Sequence, residues 1–113
     1  MGNWYVYIMT NRPEGVIYIG VTNDLAARAQ EHRAKVYKNS FTARYNCDKL
    51  VYFEEFLKGD IAIKREKQLK KWKRDWKLKL INNMNPNWID ISLNWENGVN
   101  SVYKIKRFLP TQE

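Results

Sequence analysis

Residues 4–21 read WYVYIMT-NRPEG-VIYIGV. Trp4 to Thr10 are aromatic, aliphatic or β-branched and carry no charge, the composition of a buried strand. Asn11 to Gly15 is turn chemistry, and Val16 to Val21 resumes the strand pattern, so the stretch predicts a β-hairpin. Side chains alternate between faces along a strand, so the hairpin register decides which residues meet. A turn centred between Arg12 and Pro13 sets Tyr7 opposite Tyr18, and a slip of two residues leaves them diagonal on the same face. Either register puts two phenols side by side. Gly20, two residues beyond Tyr18 on that face, leaves open space beside them.

Beyond the hairpin, Thr22-Asn23-Asp24 offers a helix cap for Leu25 to His32, with Leu25, Ala29, His32 and Val36 on one side. Residues 37–48 read as a polar loop, and Lys49–Phe56 as a third strand. Gly59 opens a helical stretch to about Met84, on which Ala62, Leu69, Trp76 and Leu80 form one stripe. A break near Lys73–Asp75 would divide it into two helices, and Asn85-Pro86 ends it. Residues 91–113 are mixed, with weak signals at Ser101–Ile105 and Phe108. There is no internal repeat. The order predicts an α+β fold, a small three-stranded antiparallel sheet flanked by helices, in one domain of 113 residues with a core at 4–90 and an extension at 91–113.

Charge narrows the function. The net charge is +8, and the segment Lys64 to Lys79 holds nine basic residues against Glu66 and Asp75. That segment carries +7, leaving +1 for the rest of the chain. A concentrated cationic patch suits a polyanion, with a solvated helix face as the plainer alternative. The single cysteine, Cys47, excludes an internal disulfide and a Cys-rich zinc site, which points to a reducing, cytoplasmic home. No apolar run approaches the roughly 18–20 residues of a membrane span, and the N-terminus lacks a signal-peptide pattern, so no membrane partner is expected.

Several polar residues fall where chemistry needs them. Arg28 and His32 lie one helical turn apart and project together, and Gly20 leads into their helix. Glu66 falls about 40° from Ala62 and Leu80 on a helical wheel, and a carboxylate on that stripe needs a cation, either Arg28 or a metal. Taken singly, the tyrosines read as packing residues, His32 as a core histidine and Glu66 as the partner of a nearby lysine. Together, beside a cationic helix, they match phosphodiester hydrolysis, which needs an activated water, neutralised phosphate oxygens and help for the departing alkoxide. A tyrosine with a pKa near 10 is a poor base unless cations depress it, and Arg28, His32 and a metal are the cations at hand.

The same residues carry a family resemblance. Val6-Tyr7 and Tyr18-Ile19-Gly20, eleven residues apart from tyrosine to tyrosine, resemble the two halves of the GIY-YIG nuclease signature. Thr22 to Arg28 with His32 is similar to that family's next motif. Leu50 to Phe56 and Ala62 to Trp72 resemble its small stand-alone members, relatives of the amino-terminal nuclease domain of excinuclease C. The resemblance spans about residues 4–90. Tyr5 stands where the signature has its first glycine, a position commonly replaced in stand-alone members.

The resemblance implies a metal-dependent DNA endonuclease. Tyr7 would activate water, Tyr18 would orient that water or the phosphate, and Arg28 would neutralise the scissile phosphate. His32 would hydrogen-bond on the attacking side, and Glu66 would be the one protein ligand of Mg²⁺ or Mn²⁺. Asn82 or Asn83 would match a late asparagine of the family. For DNA binding the candidates are Thr42, Arg44 and Tyr45 in the loop, and Lys64, Lys67, Lys70, Lys71, Lys73 and Arg74 on the basic helix, with Trp72 and Trp76 as stacking candidates if exposed. The loop and basic-helix patterns are similar to members that act on single-stranded DNA. Two alternatives stay open: a non-catalytic nucleic-acid-binding module on the same fold, and a basic interaction protein. No small-molecule cofactor is implied, and the oligomeric state is not legible.

Overall fold

The structure, a computed structural model, describes residues 3–93 and 95. Its elements run β1 (Trp4–Thr10), β2 (Ile17–Thr22), α1 (Leu25–Ala34), α2 (Phe41–Arg44), β3 (Lys49–Phe56), α3 (Gly59–Lys71) and α4 (Arg74–Met84). The strands form one antiparallel sheet in the order β2-β1-β3, flanked by helices as expected. β1 is therefore the central strand, with both faces covered. Val6, Tyr7, Ile8 and Met9 are all buried, which explains why that segment is apolar at successive positions instead of alternating.

Each face has its own core. On one, Val6, Ile8, Ile19 and Tyr52 pack with Ala62 and Leu69 of α3, Ile81 of α4 and Trp88. On the other, Tyr7, Met9 and Phe53 pack with Leu25 and Ala29 of α1 and with Cys47. β3 serves both through a bulge: Ile8 pairs with Tyr52 but Met9 pairs with Leu50, so Val51 is the extra residue. Val51 and Tyr52 thus both join the first core, while Leu50 and Phe53 join the second.

Hairpin register takes the second of the two expected alignments. Tyr7 pairs with Gly20 and Met9 with Tyr18, so the tyrosines are diagonal on the same face. The turn itself holds the shift. Thr10 Oγ1 donates to the carbonyls of Arg12 at 2.9 Å and Val16 at 2.8 Å, and Asn11 Oδ1 accepts the Val16 N–H at 2.9 Å.

Asp24 caps α1, its side chain accepting the Ala27 N–H at 3.2 Å. Lys35, in the left-handed region at φ 55°, ends the helix with its N–H on the Glu31 and His32 carbonyls. That termination overturns one expectation: Val36 leaves the buried side and is 55% exposed. The expected loop at 37–48 also contains α2, one turn capped by Ser40 Oγ on the Ala43 N–H at 3.2 Å.

The long helical stretch breaks at Trp72 and Lys73, both extended, at the edge of the expected interval. Two extended residues reset the helical phase, so a wheel drawn across them misplaces the residues of α4. Trp76, expected on the buried stripe, is 52% exposed. Its ring stands edge-on to Trp72 at 5.8 Å, and the Arg65 guanidinium lies over Trp72 at 5.2 Å. Arg65 also fixes α3 to the sheet. Its Nε and Nη2 donate to the two carboxylate oxygens of buried Glu54 at 2.8 and 2.9 Å, while the Tyr52 hydroxyl donates to the same carboxylate at 2.6 Å.

Past α4, the chain returns to β3, where Ile91 N–H donates to the Leu50 carbonyl at 2.7 Å and Asp90 Oδ1 accepts the Leu50 N–H at 3.2 Å. The weak segments at Ser101–Ile105 and Phe108 lie outside the described residues. Among the described residues no helix is long and apolar enough to cross a membrane.

Candidate active site

Three elements bring polar groups to the α1 side of the sheet. β1 supplies Tyr7 and β2 supplies Tyr18, with ring centroids 6.2 Å apart. α1 supplies Arg28 and His32, whose ring lies 5.6 Å from Tyr7 and 5.5 Å from Tyr18. The Tyr7 hydroxyl is 2.9 Å from His32 Nε2, and His32 Nδ1 is 2.8 Å from Thr42 Oγ1. Gly20 makes this possible. It lies opposite Tyr7, and a Cβ there would fall 2.5 Å from the tyrosine Cζ and hydroxyl oxygen.

Electrostatics set the protonation states. Burial raises the Tyr7 pKa well above that of a free phenol, Tyr18 adds to the rise, and the Arg28 guanidinium opposes it. In this 1% exposed side chain desolvation outweighs the guanidinium, so Arg28 by itself does not bring Tyr7 below a free phenol. His32 is shifted down, by burial first and by the Arg28 cation second, with Glu31 opposing. At neutral pH the pair is a protonated phenol facing a neutral imidazole.

Arg28 pairs with Glu31, Nε to Oε1 at 3.0 Å, on a partly exposed stretch of α1. It does not pair with Glu66. That carboxylate, half-buried on α3, takes the ammonium of Lys70 at 2.8 Å one turn on. The charged partner of Glu66 is thus Lys70, its neighbour on α3, as the plainer reading of that carboxylate had it.

Among the described residues no three His, Cys, Asp or Glu side chains stand close enough to hold a metal ion. Glu66 is a single carboxylate whose charged partner is a half-exposed lysine. That donor set does not fit a cage of protein ligands. It does fit Mg²⁺ or Mn²⁺, hard cations that can take one carboxylate together with waters and phosphate oxygens.

The expected DNA contacts separate. Arg44 and Tyr45 are exposed, as are Lys64, Lys67, Lys70, Lys71 and Lys73. Thr42 is not: at 3% exposure, its hydroxyl is turned onto His32 and cannot serve as a surface contact. Arg74 donates through Nη2 to the carbonyls of Glu14 at 2.8 Å and Gly15 at 2.6 Å, which ties α4 to the hairpin turn. Asn82 accepts the Trp88 indole N–H at 2.6 Å, and Asn83 is exposed on α4.

One feature had no signal in the sequence. The Thr42–His32 contact joins a one-turn helix to α1 across an irregular connection, and no spacing rule reaches across it. Phe41 extends the aromatic cluster outward, 6.1 Å from Tyr18 and 4.7 Å from Tyr45, with the Arg44 guanidinium 5.9 Å from the Tyr45 ring.

Residues 3–79 match the model of the GIY-YIG catalytic domain. A UPF0213 protein of Clostridium perfringens (strain 13 / Type A) is 41% identical over 81 residues, covering 68% of this chain and 81% of that protein. A UPF0213 protein of Syntrophus aciditrophicus (strain SB) is 36% identical over 81 residues, covering 72% of this chain and 92% of that one. No solved structure matches at a significant level. The matched span contains both tyrosines, Arg28, His32 and Glu66, and the chain belongs to the GIY-YIG family of nuclease domains.

Proposed function

We propose that this protein is a metal-dependent endonuclease that hydrolyses phosphodiester bonds in DNA, with Tyr7, Tyr18, Arg28 and His32 around the scissile phosphate and Glu66 as metal ligand. The observation that carries the reading is the 2.9 Å contact between the Tyr7 hydroxyl and a neutral His32 Nε2, within a GIY-YIG domain. A protonated Tyr7 is a poor base by itself. As it accepts a proton from the attacking water, it passes its own proton to His32 Nε2, and imidazolium replaces imidazole. The new oxygen–phosphorus bond forms as the bond to the leaving oxygen breaks.

Arg28 suits the nonbridging phosphate oxygens, since its fork matches them and its present partner Glu31 holds it in a partly exposed pair of little worth. Tyr18, edge-on to His32, is placed to orient the water or the phosphate. Mg²⁺ or Mn²⁺ bound through Glu66 would neutralise charge at the leaving oxygen.

We assign single-stranded DNA as the preferred substrate. Tyr18, Phe41 and Tyr45 form an aromatic shelf leading away from the site, Phe41 and Tyr45 each being 45% exposed, with the Arg44 cation beside it. Unpaired bases stack on such a surface, whereas the bases of a duplex are already stacked on each other. Lys64, Lys67, Lys70, Lys71 and Lys73 would track the backbone. A cytoplasmic setting accords with Cys47, a buried free thiol whose pKa is pushed up to about 11 by burial and by Asp48.

The test is incubation of the purified protein with labelled single- and double-stranded oligonucleotides in Mg²⁺, Mn²⁺ or EDTA. Endonucleolytic products from the single strand, abolished by EDTA and by His32→Gln, are expected. Tight DNA binding with no cleavage under any metal would instead mark a binding module.

A further inference from the structure

Thr42 is the feature that the proposed chemistry leaves unexplained. A hydroxyl at 3% exposure needs partners, and it has two: His32 Nδ1 at 2.8 Å and Ser40 Oγ at 3.2 Å. An imidazole in its neutral form carries one N–H, so the proton that Thr42 sees at Nδ1 decides what Tyr7 sees at Nε2.

Two polarities of this chain are conceivable, and the surroundings choose between them. The groups that face the imidazole are Tyr7 from β1, Tyr18 from β2, Arg28 and Glu31 from α1, and Thr42 from α2. Arg28 interacts with the Tyr7 hydroxyl, and a guanidinium can only donate, so it takes a lone pair of the phenol oxygen. The other lone pair is the one that the proposed chemistry gives to the attacking water, so toward His32 Nε2, 2.9 Å away, the phenol has only its proton to offer. Nδ1 must in turn carry the imidazole proton and give it to Thr42 Oγ1. The Thr42 proton continues to Ser40 Oγ, whose place is fixed because it caps α2 on the Ala43 N–H.

We propose that Thr42 is a positioning residue: its hydroxyl accepts the His32 Nδ1–H and holds the imidazole in the tautomer whose Nε2 lone pair faces the Tyr7 hydroxyl. It plays for His32 the part that an orienting hydrogen-bond acceptor plays for any histidine base. The inference rests on the proposed role of His32 as proton acceptor, but its first test does not require that the protein cleave DNA.

His32 is the one histidine in the chain, so ¹⁵N-histidine labelling of the full-length protein gives two ring nitrogens with no assignment problem. Above the imidazole pKa, Nδ1 is expected protonated and Nε2 unprotonated. Thr42→Val keeps the shape and loses the acceptor. It should move the proton toward Nε2 and lower kcat on single-stranded DNA by about ten- to a hundredfold, with KM little changed. Thr42→Ser should retain the wild-type nitrogen spectrum and most of the rate.

A wild-type spectrum with Nε2 protonated overturns the proposal, and so does a folded Thr42→Val protein that keeps the wild-type tautomer. If Thr42→Val fails to fold, the wild-type spectrum and the Thr42→Ser rescue still decide. The predicted tautomer in a protein that cleaves no DNA supports the assignment of Thr42 while refuting the nuclease reading.

Discussion

Gly20→Ala asks whether the site depends on the position of the Tyr7 ring. The added Cβ would sit 2.5 Å from the Cζ and hydroxyl oxygen of Tyr7, where ordinary contacts begin at 3.4 Å. The ring must therefore retreat by about 1 Å, or the strands must part. Tyr7 is 1% exposed and packed among Met9, Leu25 and Phe53, so little room exists for either. Overpacking of this kind costs about 1–3 kcal/mol of stability. A displacement near 1 Å also spoils the 2.9 Å contact with His32 Nε2, and errors of that size lower catalytic rates by about a hundredfold. The assay is denaturant unfolding together with single-turnover cleavage of a single-stranded oligonucleotide, below the variant's unfolding transition. A Tyr7→Phe background supplies the control. With the hydroxyl already gone, the alanine should add little further loss of rate while still costing stability. A Gly20→Ala protein as stable and as fast as wild type refutes the argument.

The same geometry sets four more expectations. Glu66→Gln removes only a pair with half-exposed Lys70, worth about 1 kcal/mol or less, so melting should hardly change while Mg²⁺-dependent cleavage falls at least about a hundredfold; wild-type cleavage would exclude Glu66 as the metal ligand. Changing Lys70, Lys71 and Lys73 to Gln together should weaken DNA binding and reduce its salt slope by up to about one unit per lost phosphate contact, with turnover at saturating DNA much less affected, which a salt titration of affinity checks. Because His32 is shifted down, the unfolded chain binds its proton more readily. This group's stabilising contribution is complete above the unfolded value near 6.5 and is lost as pH falls through the lower folded value, and cleavage should decline over the same range in a pH–rate profile. Arg65→Met should destabilise by about 3–5 kcal/mol by stranding the buried Glu54 carboxylate, as read by urea unfolding.

The hairpin, the third strand, the helix after Asp24 and the break in the long basic stretch were legible in the chain because each rests on local rules of strand composition, turn residues, caps and breakers. The parity of Tyr7 and Tyr18 was legible too, since any even register shift keeps both phenols on one face, and Arg28 with His32 came from the spacing of one helical turn. Everything outside those rules needed the tertiary structure. The diagonal register came from the hydrogen bonds of Thr10 and Asn11 within the turn, and the exposure of Trp76 from two extended residues that reset the helical phase. Glu54 read as one residue of a strand, and only the packing of α3 showed that Arg65 meets it. Thr42 read as a surface contact until α2 was seen folding its hydroxyl onto His32. The sign of the Tyr7 shift was likewise a tertiary matter. Residue types supplied the cations that could lower its pKa, but desolvation depends on how completely the surrounding chain excludes water, and that is fixed only when strands and helices from distant parts of the sequence close over the ring.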